Sequence, residues 1–495
     1  MQLLSANQIH QWDAFTIEHE QIASIDLMER AAHACTNFIF EHNYNEQVIK
    51  IFCAKGNNGG DGLAIARQLI EAGTEPSVYI LEFGAPGTED FQMNLHRLHQ
   101  LTKNIHFIQA EEFFPPIEQS DIIIDALYGS GLNRPLKDLS AALVEYINYC
   151  GAIILSIDVP SGMFIDKSSA GNIVIKASHT LSFEATKICF LFAENAEYFG
   201  EVTILNIGLH HDFLKKIETV YSIVSKKDIA KNIQARKKFS HKGNYGHSLL
   251  VAGSKGKIGA AVLAAKACLR AGTGLLTVHV PLIGLNVVQS SISEAMCITE
   301  DEEIDFTKYS AIGVGPGIGT TTASATLVEN ILHAYRSPMV IDADALNIIS
   351  GKKDLLNAIP PDSILTPHPK EFERLFGKTN NDFERAQLAI DVSKQYNFII
   401  VLKGHYTLIA YNGKGIFNTT GNAAMATGGS GDVLTGIVTS LLAQGYNPLQ
   451  AALSGVYIHG YAGDLAISLL STNILLASEI AEYIGQSLYA LTHSE

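Results

Sequence analysis

Short apolar runs alternate with amphipathic stretches along the first half of the chain. VIKIFCA (48–54) and PSVYIL (76–81) are typical of buried strands, and LAIARQLIEAG (63–73) between them has helical spacing. DIIIDALYG (121–129) and GAIILSIDVPSG (151–162) repeat one design, in which a β-branched run reaches an Asp before a loop that contains glycine. Strands separated by helices predict a parallel sheet with crossover connections.

The same alternation begins again after a charged stretch, SKKDIAKNIQARKKFSHKG, that contains no strand-like run. HSLLVAGS (247–254) is typical of a strand, and five further apolar segments follow it: LLTVHVP, YSAIGVGPGIG, PMVIDADAL, SILTPHPKE and NFIIVLKGHYTLIAY. The two halves share no motif, which indicates a fusion rather than an internal repeat. We predict two α/β domains at residues 1–215 and 241–495, joined by a linker at 216–240. The first domain should open with a helix over about residues 5–43.

Composition and charge argue against nucleic-acid-binding and membrane-spanning proteins. The 495 residues are 47% hydrophobic and have a formal net charge of −15, whereas general nucleic-acid binding needs clustered Lys and Arg. No run of 18 apolar residues occurs, and the N-terminus lacks the pattern of a signal peptide. We therefore expect no nucleic-acid partner, no membrane span and a cytoplasmic location. The six cysteines form no C-x-x-C pair, so neither a zinc site nor a disulfide framework is predicted.

The loop KGNNGGDG (55–62) is similar to a phosphate-binding loop but matches neither familiar spacing. Asp61 stands where the Walker pattern needs its second Gly, and Ile65 stands where the dinucleotide pattern needs its third. Asp61, Asp125 and Asp158 each lie near the end of a predicted strand. Because ligands of parallel sheets bind at the carboxyl ends of the strands, these residues should gather on one functional rim.

A second glycine loop, TGNAAMATGGSGDVLTG, precedes an apolar helix predicted from about Val433. Gly428, Gly429 and Gly431 let the backbone approach an anion. The charge of Asp432 would repel a bound phosphate. It suits instead a base that takes the proton of a hydroxyl attacking a phosphoryl group. The alternative role is an N-cap of a structural helix.

This loop resembles the G-x-G-D anion-hole motif of the ribokinase-like superfamily, over most of residues 225–495. Five segments precede it in order: HKGNYGHSLLVAGSKGKIGAA, GVGPGIG, DADAL, TPHPKEFERL and LKGHYT. Together they resemble the ADP/ATP-dependent NAD(P)H-hydrate dehydratases rather than the sugar kinases. The resemblance implies a repair reaction. A nicotinamide ring that has taken up water at C6 loses it again, with consumption of a nucleotide phosphate.

The dehydratase resemblance also implies roles for particular residues, with Asp432 as the base. The positions that match nucleotide contacts for ADP or AMP are Lys403, Gly404, His405, Tyr406, Thr407 and Gly431. The positions that match contacts to the hydrated dinucleotide are Ala260, Gly317, His368 and Asp432. Mg²⁺ is expected with ADP or ATP. Lys370, where the family usually has Gly, and Ile258, where it usually has Met, depart from the pattern.

The first half resembles the NAD(P)H-hydrate epimerase domain over about residues 1–215, through GNNGGDG, DALYGSGLNRPL and SIDVPSG in that order. The resemblance implies a Rossmann-like three-layer sandwich ahead of the ribokinase-like α/β domain. The implied contacts to hydrated NADH or NADPH are Asn57, Asn58, Gly59, Gly60, Asp61, Gly129, Ser130, Gly131, Leu132, Asn133, Arg134, Pro135 and Asp158. The resemblance also implies a K⁺ ion held by Asn58, Asp125 and Ser161.

Epimerisation at C6 requires that carbon to open and reclose while a side chain shuttles a proton. Asp158, at a strand end, is the best candidate, and its alternative role is to cap the following turn. Lys187 is either a second cation at the ligand or an exposed side chain. A dehydratase of this kind is expected to accept only the S epimer, so the epimerase would recover the R form.

Two other interpretations compete with the bifunctional repair enzyme. The second half alone would suit a kinase of a small hydroxymethyl compound, with a non-catalytic first half. The first half would alternatively be a nucleotide-binding or interaction module without turnover. The TPHPKE and HKGNYG segments argue against the kinase, and the polar strand ends argue against a scaffold. A homo-oligomer is expected by analogy with the dehydratase family, whereas the preference for ADP or ATP and for NADH or NADPH stays open.

Overall fold

The chain forms two compact units. The first unit comprises residues 2–219 and 381–383, and the second comprises residue 1 with residues 220–380 and 384–495. The structure is a computed structural model and describes residues 1–493.

The first unit contains a parallel sheet of seven strands in the order β4-β3-β2-β5-β6-β7-β8. The strands of this unit are β1 (Gln2–Leu3), which lies outside that sheet, β2 (Ile49–Cys53), β3 (Ser77–Leu81), β4 (Ile105–Ile108), β5 (Ile122–Ala126), β6 (Ile153–Ile157), β7 (His179–Phe183) and β8 (Glu201–Leu205). Its helices are α1 (Ala6–Glu20), α2 (Ser24–Glu41), α3 (Asn57–Glu71), α4 (Glu89–His99), α5 (Asp138–Asn148) and α6 (Ala196–Phe199).

Helices cover both faces of this sheet, which confirms the predicted three-layer sandwich. Ile49 and Ile51 of β2 pack with α2, α3 and α4 on one face, while Phe52 packs with α5 on the other. This alternation follows from the two-residue period of a strand. The strand order reverses between β2 and β5, because β3 and β4 lie on one side of this pair and β6 to β8 on the other. The crevice for a ligand is expected at the carboxyl ends of β2 and β5.

Two helix boundaries differ from the sequence predictions. The opening helix is interrupted after Glu20, because Gln21 takes a left-handed conformation with φ of 54° and caps α1. The glycine loop after β2 is the first turn of α3, which begins at Asn57 rather than at residue 63. Gly59 permits this early start, since a Cβ atom there would lie 1.6 Å from the Ala54 carbonyl oxygen.

The second unit contains a mixed sheet in which the strands β9-β18-β17-β16-β15-β14-β13-β10-β11-β12 lie in that order. Its strands are β9 (Tyr221–Ile223), β10 (His247–Val251), β11 (Leu275–His279), β12 (Met296–Ile298), β13 (Ala311–Val314), β14 (Val340–Ile341), β15 (Ile364–Leu365), β16 (Ile399–Leu402), β17 (Thr407–Tyr411) and β18 (Lys414–Asn418). Its helices are α7 (Lys226–Asn232), α8 (Ile258–Arg270), α9 (Leu282–Ser291), α10 (Thr322–Ala334), α11 (Ala343–Gly351), α12 (Pro369–Phe376), α13 (Asp382–Tyr396), α14 (Ser430–Ala443), α15 (Pro448–Leu470) and α16 (Ala477–Thr492).

The second unit is parallel from β12 to β16, and β17 and β18 continue it as antiparallel strands. The segment NFIIVLKGHYTLIAY thus supplies two strands, β16 and β17, and the turn between them. β9 and α7 fall within the predicted linker at 216–240. α14 lies at the centre of the main core cluster and is buried from Val433 to Ala443. No helix in residues 1–493 is long and apolar enough to cross a membrane.

Candidate active sites

Asp158 and Lys187 form a buried ion pair just beyond β6 and β7. The Lys187 ammonium lies 2.9 Å from Asp158 Oδ1, and the two side chains are only 1% and 10% exposed. Lys187 also donates a 2.5 Å hydrogen bond to Ser182 Oγ. The interpretation of Lys187 as an exposed side chain is therefore wrong. The φ of Asp158 is 70°, a strained value for a residue other than glycine and one that clusters at functional sites.

The environment of Asp158 favours its ionised form. Burial opposes ionisation, but the charge and hydrogen bond of Lys187 outweigh it and lower the pKa of the Asp158 carboxyl. The Ser130 amide adds to this effect by donating a 2.7 Å hydrogen bond to Asp158 Oδ2. Asp158 therefore carries a negative charge at neutral pH.

The three predicted K⁺ ligands lie at the carboxyl ends of β2, β5 and β6. Asp125 is fully buried and accepts hydrogen bonds from the hydroxyl and amide of Ser161 and from the Ser156 hydroxyl, at 2.6, 2.9 and 2.8 Å. Burial raises the pKa of Asp125, and these hydrogen bonds oppose the rise. Asn58 is 9% exposed, and neither its side-chain oxygen nor its nitrogen has a hydrogen-bond partner. A buried amide of this kind indicates that a ligand completes its environment.

The two predicted substrate loops converge at Gly129. A Cβ atom there would lie 2.9 Å from Asp158 Oδ2 and 3.0 Å from Asn58 Oδ1, so only glycine leaves both oxygens accessible. The rest of the second loop is largely open to solvent. Its exposed or half-buried members are Gly129, Ser130, Gly131, Leu132, Asn133, Arg134 and Pro135. In the first loop, Asn57 is exposed, Asp61 is half-buried, and Gly59 and Gly60 are buried.

The structure adds Asp13, which the sequence analysis did not single out, to this site. Burial, with the nearby charge of Asp158, raises the pKa of Asp13 to about 7, and Lys187 opposes the rise. Burial, together with Asp158 and Asp13, also raises the pKa of Asp61 well above its usual value. Asp13 lies in a helix outside every motif, so no local signal in the sequence could have identified it.

In the second unit, Asp432 belongs to a charged cluster at the start of α14. The Lys403 ammonium lies 2.8 Å from Asp342 Oδ1, and the Thr435 hydroxyl donates a 2.8 Å hydrogen bond to Asp342 Oδ2. A Cβ atom at Gly431 would lie 3.4 Å from the Lys403 ammonium nitrogen. Burial, with the charge of Asp342, raises the pKa of Asp432 to about 6, and Lys403 opposes the rise. Asp342 is the first residue of the DADAL motif, and nothing in that motif alone predicted its ion pair with Lys403.

Two of the predicted substrate positions, Ala260 and Gly317, are direct neighbours. Gly317 has φ of 64°, and a Cβ atom there would lie 2.9 Å from Ala260 Cβ, so glycine is needed for both reasons. Asp344 supports this loop by accepting hydrogen bonds from the Gly319 amide at 2.8 Å and from Lys257 at 3.2 Å.

His368 caps α12. Its ring Nδ1 accepts hydrogen bonds from the amides of Lys370 and Glu371 at 3.1 and 3.3 Å, so this nitrogen is unprotonated. Burial lowers the pKa of His368, and Glu371 opposes this effect. The Pro367 carbonyl accepts a 2.9 Å hydrogen bond from the Lys403 amide, which places the His368 loop beside the end of β16. The side chain is 44% exposed, and its Nε2 lies 3.4 Å from Glu371 Oε1.

The remaining predicted nucleotide contacts lie in the turn between β16 and β17, at the first residue of β17 and in the first turn of α14. Gly404 and His405 are exposed there, while Tyr406 and Thr407 are half-buried. Gly431 lies in the first turn of α14, where free backbone N–H groups can receive an anion. No cluster of three or more His, Cys, Asp or Glu residues within the described part of the chain is arranged to hold a metal ion.

Comparison with known proteins matches each unit to a family. A family model described as NAD(P)H-hydrate dehydratase matches residues 248–486, and one described as YjeF-related protein N-terminus matches residues 24–189. A bifunctional NAD(P)H-hydrate repair enzyme from Moorella thermoacetica is 31% identical to this chain, over 98% of this chain and 96% of its own length.

Two solved structures resemble the second unit. A ribokinase-like superfamily protein from Enterococcus faecalis V583 is 27% identical, with a TM-score of 0.50, and covers 56% of this chain and 99% of its own. This match confirms the predicted ribokinase-like fold. An ADP/ATP-dependent NAD(P)H-hydrate dehydratase from Bacillus subtilis, co-crystallised with ATP and Mg²⁺, is 31% identical, with a TM-score of 0.49, and covers 55% of this chain and 98% of its own.

Proposed function

The chain belongs to the family of bifunctional NAD(P)H-hydrate repair enzymes, and we propose that its two units divide the repair between them. The first unit interconverts the R and S epimers of hydrated NADH and NADPH. The second dehydrates the S epimer to NAD(P)H and converts ADP to AMP and phosphate. The observation that carries this proposal is the 31% identity to one bifunctional relative over 98% of the chain, which includes both units.

In the dehydration, Asp432 acts as the base. It takes the proton of the C6 hydroxyl while that oxygen attacks the terminal phosphate of the nucleotide. Phosphorylation converts a poor leaving group into a good one, and elimination then restores the reduced ring. A pKa of about 6 suits this role, because the carboxyl is ionised at neutral pH and yet basic enough to hold a proton.

The nucleotide is expected to bind with its phosphates at the start of α14 and beside Lys403. Asp342 holds Lys403 at this position, and the Thr435 hydroxyl fixes Asp342 in turn. One or two of the carboxylates of Asp342, Asp344 and Asp432 would hold Mg²⁺, which usually takes only one or two protein carboxylates together with phosphate oxygens and waters. When bound, the ion would offset the phosphate charge. Gly404 in the β16–β17 turn and Thr407 at the start of β17 would contribute further contacts.

In the epimerisation, Asp158 is the principal proton acceptor. Its ionised state and strained backbone, beside the unpartnered Asn58 amide and the open face of Gly129, support this role. The loop from Gly129 to Pro135 would hold the phosphates of the dinucleotide, with Arg134 exposed and able to pair with one of them. Lys187 keeps Asp158 charged and in position.

The residues of the first unit fit a bound K⁺ ion. Asn58, Asp125 and Ser161 offer amide, carboxylate and hydroxyl oxygens, and the Asn58 oxygen is buried without a partner. A hard monovalent cation prefers such oxygen donors. When bound, it would offset the charge of Asp125 beside an anionic substrate. The dependence of epimerisation on K⁺, measured against Na⁺ at equal ionic strength, tests this assignment.

One assay tests the bifunctional proposal. The protein is incubated with separated R and S epimers of hydrated NADH, with and without ADP, and the absorbance of NADH is followed. We expect full recovery from both epimers with ADP. Recovery from the S epimer alone, after correction for spontaneous epimerisation, would refute the epimerase function. No recovery, with phosphorylation of a different alcohol instead, would support the kinase alternative, which the relatives do not favour. A homo-oligomer and a cytoplasmic location stay predictions.

A further inference from the structure

Helix α1 forms one wall of the first unit's candidate site. The Ala6 amide donates a 2.9 Å hydrogen bond to Asp166 Oδ2, and the indole nitrogen of Trp12 donates one of 3.0 Å to the His210 carbonyl. These bonds fix both the start and the middle of the helix. His10 Nε2 lies 3.8 Å from the position of a Cβ atom at Gly131, so this face of the helix adjoins the predicted phosphate loop.

Asp13 lies on the same face of α1, one turn after His10. Asp13 is half-buried, and the charges of Asp158 and Lys187 act on the pKa of its carboxyl. Within the described residues it makes no hydrogen bond or ion pair, in contrast to Asp158, which is held by Lys187 and Ser130. The carboxyl of Asp13 is therefore available to a ligand at this wall of the site.

The nearby charges give Asp13 a protonation state different from that of Asp158. Asp13 and Asp158 both interact with the ammonium group of Lys187, and the charges of Asp13 and Asp158 also act on Asp61. Lys187 is committed to Asp158, so a further ionised carboxyl would lack compensation in a site that must also admit phosphates. A proton therefore resides on the unpaired carboxyls near neutral pH, while Asp158 remains charged.

We propose that Asp13 is a second proton-transferring residue of the epimerase site and acts at the ring nitrogen while Asp158 acts at the C6 hydroxyl. This inference rests on the epimerase function proposed above. Asp158 takes the hydroxyl proton, the C6–O bond becomes a carbonyl, and the C6–N1 bond breaks. The electron pair passes to N1, which takes the proton of Asp13. After rotation about the C5–C6 bond the steps reverse, so the ring closes as the other epimer and both carboxyls return to their first states.

The titratable groups that face Asp13 should make the epimerase rate depend on pH, so the pH profile of that rate tests the proposal. They are Asp158 and Lys187 beyond β6 and β7, Asp61 on α3, and His10 on its own helix. Asp13 must be protonated and Asp158 ionised, and their pKa values are about 7 and below the usual range respectively. Pairs of groups with pKa values driven apart mark an acid and a base. The epimerase rate should therefore fall as the pH rises through about 7.

The test compares the full-length protein with Asp13→Asn, Asp13→Glu and a matched control, Glu18→Gln, which lies exposed on another face of α1. The R epimer of hydrated NADH is supplied without ADP or ATP, so that dehydration cannot proceed. Its conversion to the S epimer is followed by chromatography from about pH 5 to about pH 9, and spontaneous conversion is subtracted. The fluorescence of Trp12 reports whether each variant is folded.

We expect Asp13→Asn to lower kcat/KM by about 10²-fold below pH 7 and to abolish the decline near that pH. Asp13→Glu should restore part of the rate together with the decline, and Glu18→Gln should match the unmodified protein. An Asp13→Asn variant with an unchanged rate and profile would overturn the proposal. If that variant does not fold, a profile of the unmodified protein that stays flat between about pH 6 and about pH 8 overturns it. No epimerisation by the unmodified protein would instead refute the epimerase function.

Discussion

Replacement of Lys187 by Met should destabilise the first unit strongly, because it leaves Asp158 ionised and buried without its partner. The pair lies at 2.9 Å, and its side chains are 1% and 10% exposed, so solvent offers little compensation. Removal of one member of such a buried pair typically costs about 3–5 kcal/mol in the free energy of unfolding. The Ser130 amide is retained, so we place the cost towards the lower end, at about 3 kcal/mol at pH 8.

The cost should shrink as the pH falls. In the unmodified protein the pKa of Asp158 is lowered, so its ionised form stabilises the fold above the pKa of the unfolded state, and this contribution is lost in acid. Without Lys187, burial raises that pKa instead, and Asp158 becomes protonated and neutral on mild acidification. A second variant, Lys187→Met with Asp158→Asn, removes both charges. It should recover much of the stability at pH 8, which gives a favourable coupling energy.

The single tryptophan of the chain makes this measurement specific to the first unit. Trp12 is 3% exposed and belongs to that unit, so its fluorescence during urea unfolding of the full-length protein follows that unit alone. Lys176→Met is the matched control, because Lys176 pairs with Glu197 at 2.7 Å while both side chains are more than half exposed. This exposed pair should contribute little, so Lys176→Met should leave the urea midpoint nearly unchanged. A Lys187→Met effect as small as this, or one independent of pH, would refute the reasoning.

Three further predictions concern the two glycine loops. Dehydration, measured with the S epimer and ADP, should increase in kcat/KM as the pH rises through about 6, the pKa to which burial and Asp342 raise Asp432. A profile without this limb would exclude Asp432 as the base. Asp432→Asn should abolish dehydration and leave epimerisation intact, and loss of both would show coupled units or a misfolded variant. Gly59→Ala should destabilise the first unit by at least about 2 kcal/mol, because the new Cβ atom would lie 1.6 Å from the Ala54 carbonyl oxygen. Gly56→Ala is the control, since nothing lies within 4 Å of its Cβ position, and equal urea midpoints for the two variants would contradict the prediction.

The sequence was sufficient for the features that depend on local pattern. Buried parallel strands are continuous apolar runs, so β2, β5 and β6 could be located to within a residue or two. The rim position of Asp158 followed from the rule that ligands bind at the carboxyl ends of such strands. The start of α3 at Asn57 could not be predicted, because glycines normally disfavour a helix. Close contact between Gly59 and the preceding strand overrides that preference.

The partners of the charged residues could not be predicted, since each pair joins distant parts of the chain. Lys187 reaches Asp158 across 29 positions, and Lys403 reaches Asp342 across 61. Whether such a lysine is exposed or buried depends on how neighbouring strands are ordered in the sheet, which apolar spacing does not reveal. Asp13 also could not be identified from the sequence. Its proposed role depends on the position of α1 beside the Gly131 loop, which joins distant parts of the chain.

The two sites reach a similar electrostatic arrangement on two different sheets. In each, a lysine near a strand end forms an ion pair with one aspartate, Asp158 in the first unit and Asp342 in the second. A second, unpaired aspartate nearby then has a raised pKa, about 7 for Asp13 and about 6 for Asp432. In the two proposed reactions a proton moves at the C6 hydroxyl or at the adjacent ring nitrogen, so each site needs a carboxyl that exchanges protons near neutral pH. The lysine–aspartate pair adjusts the pKa of this carboxyl. The negative charge of the paired aspartate raises that pKa, and the positive charge of the lysine limits the rise.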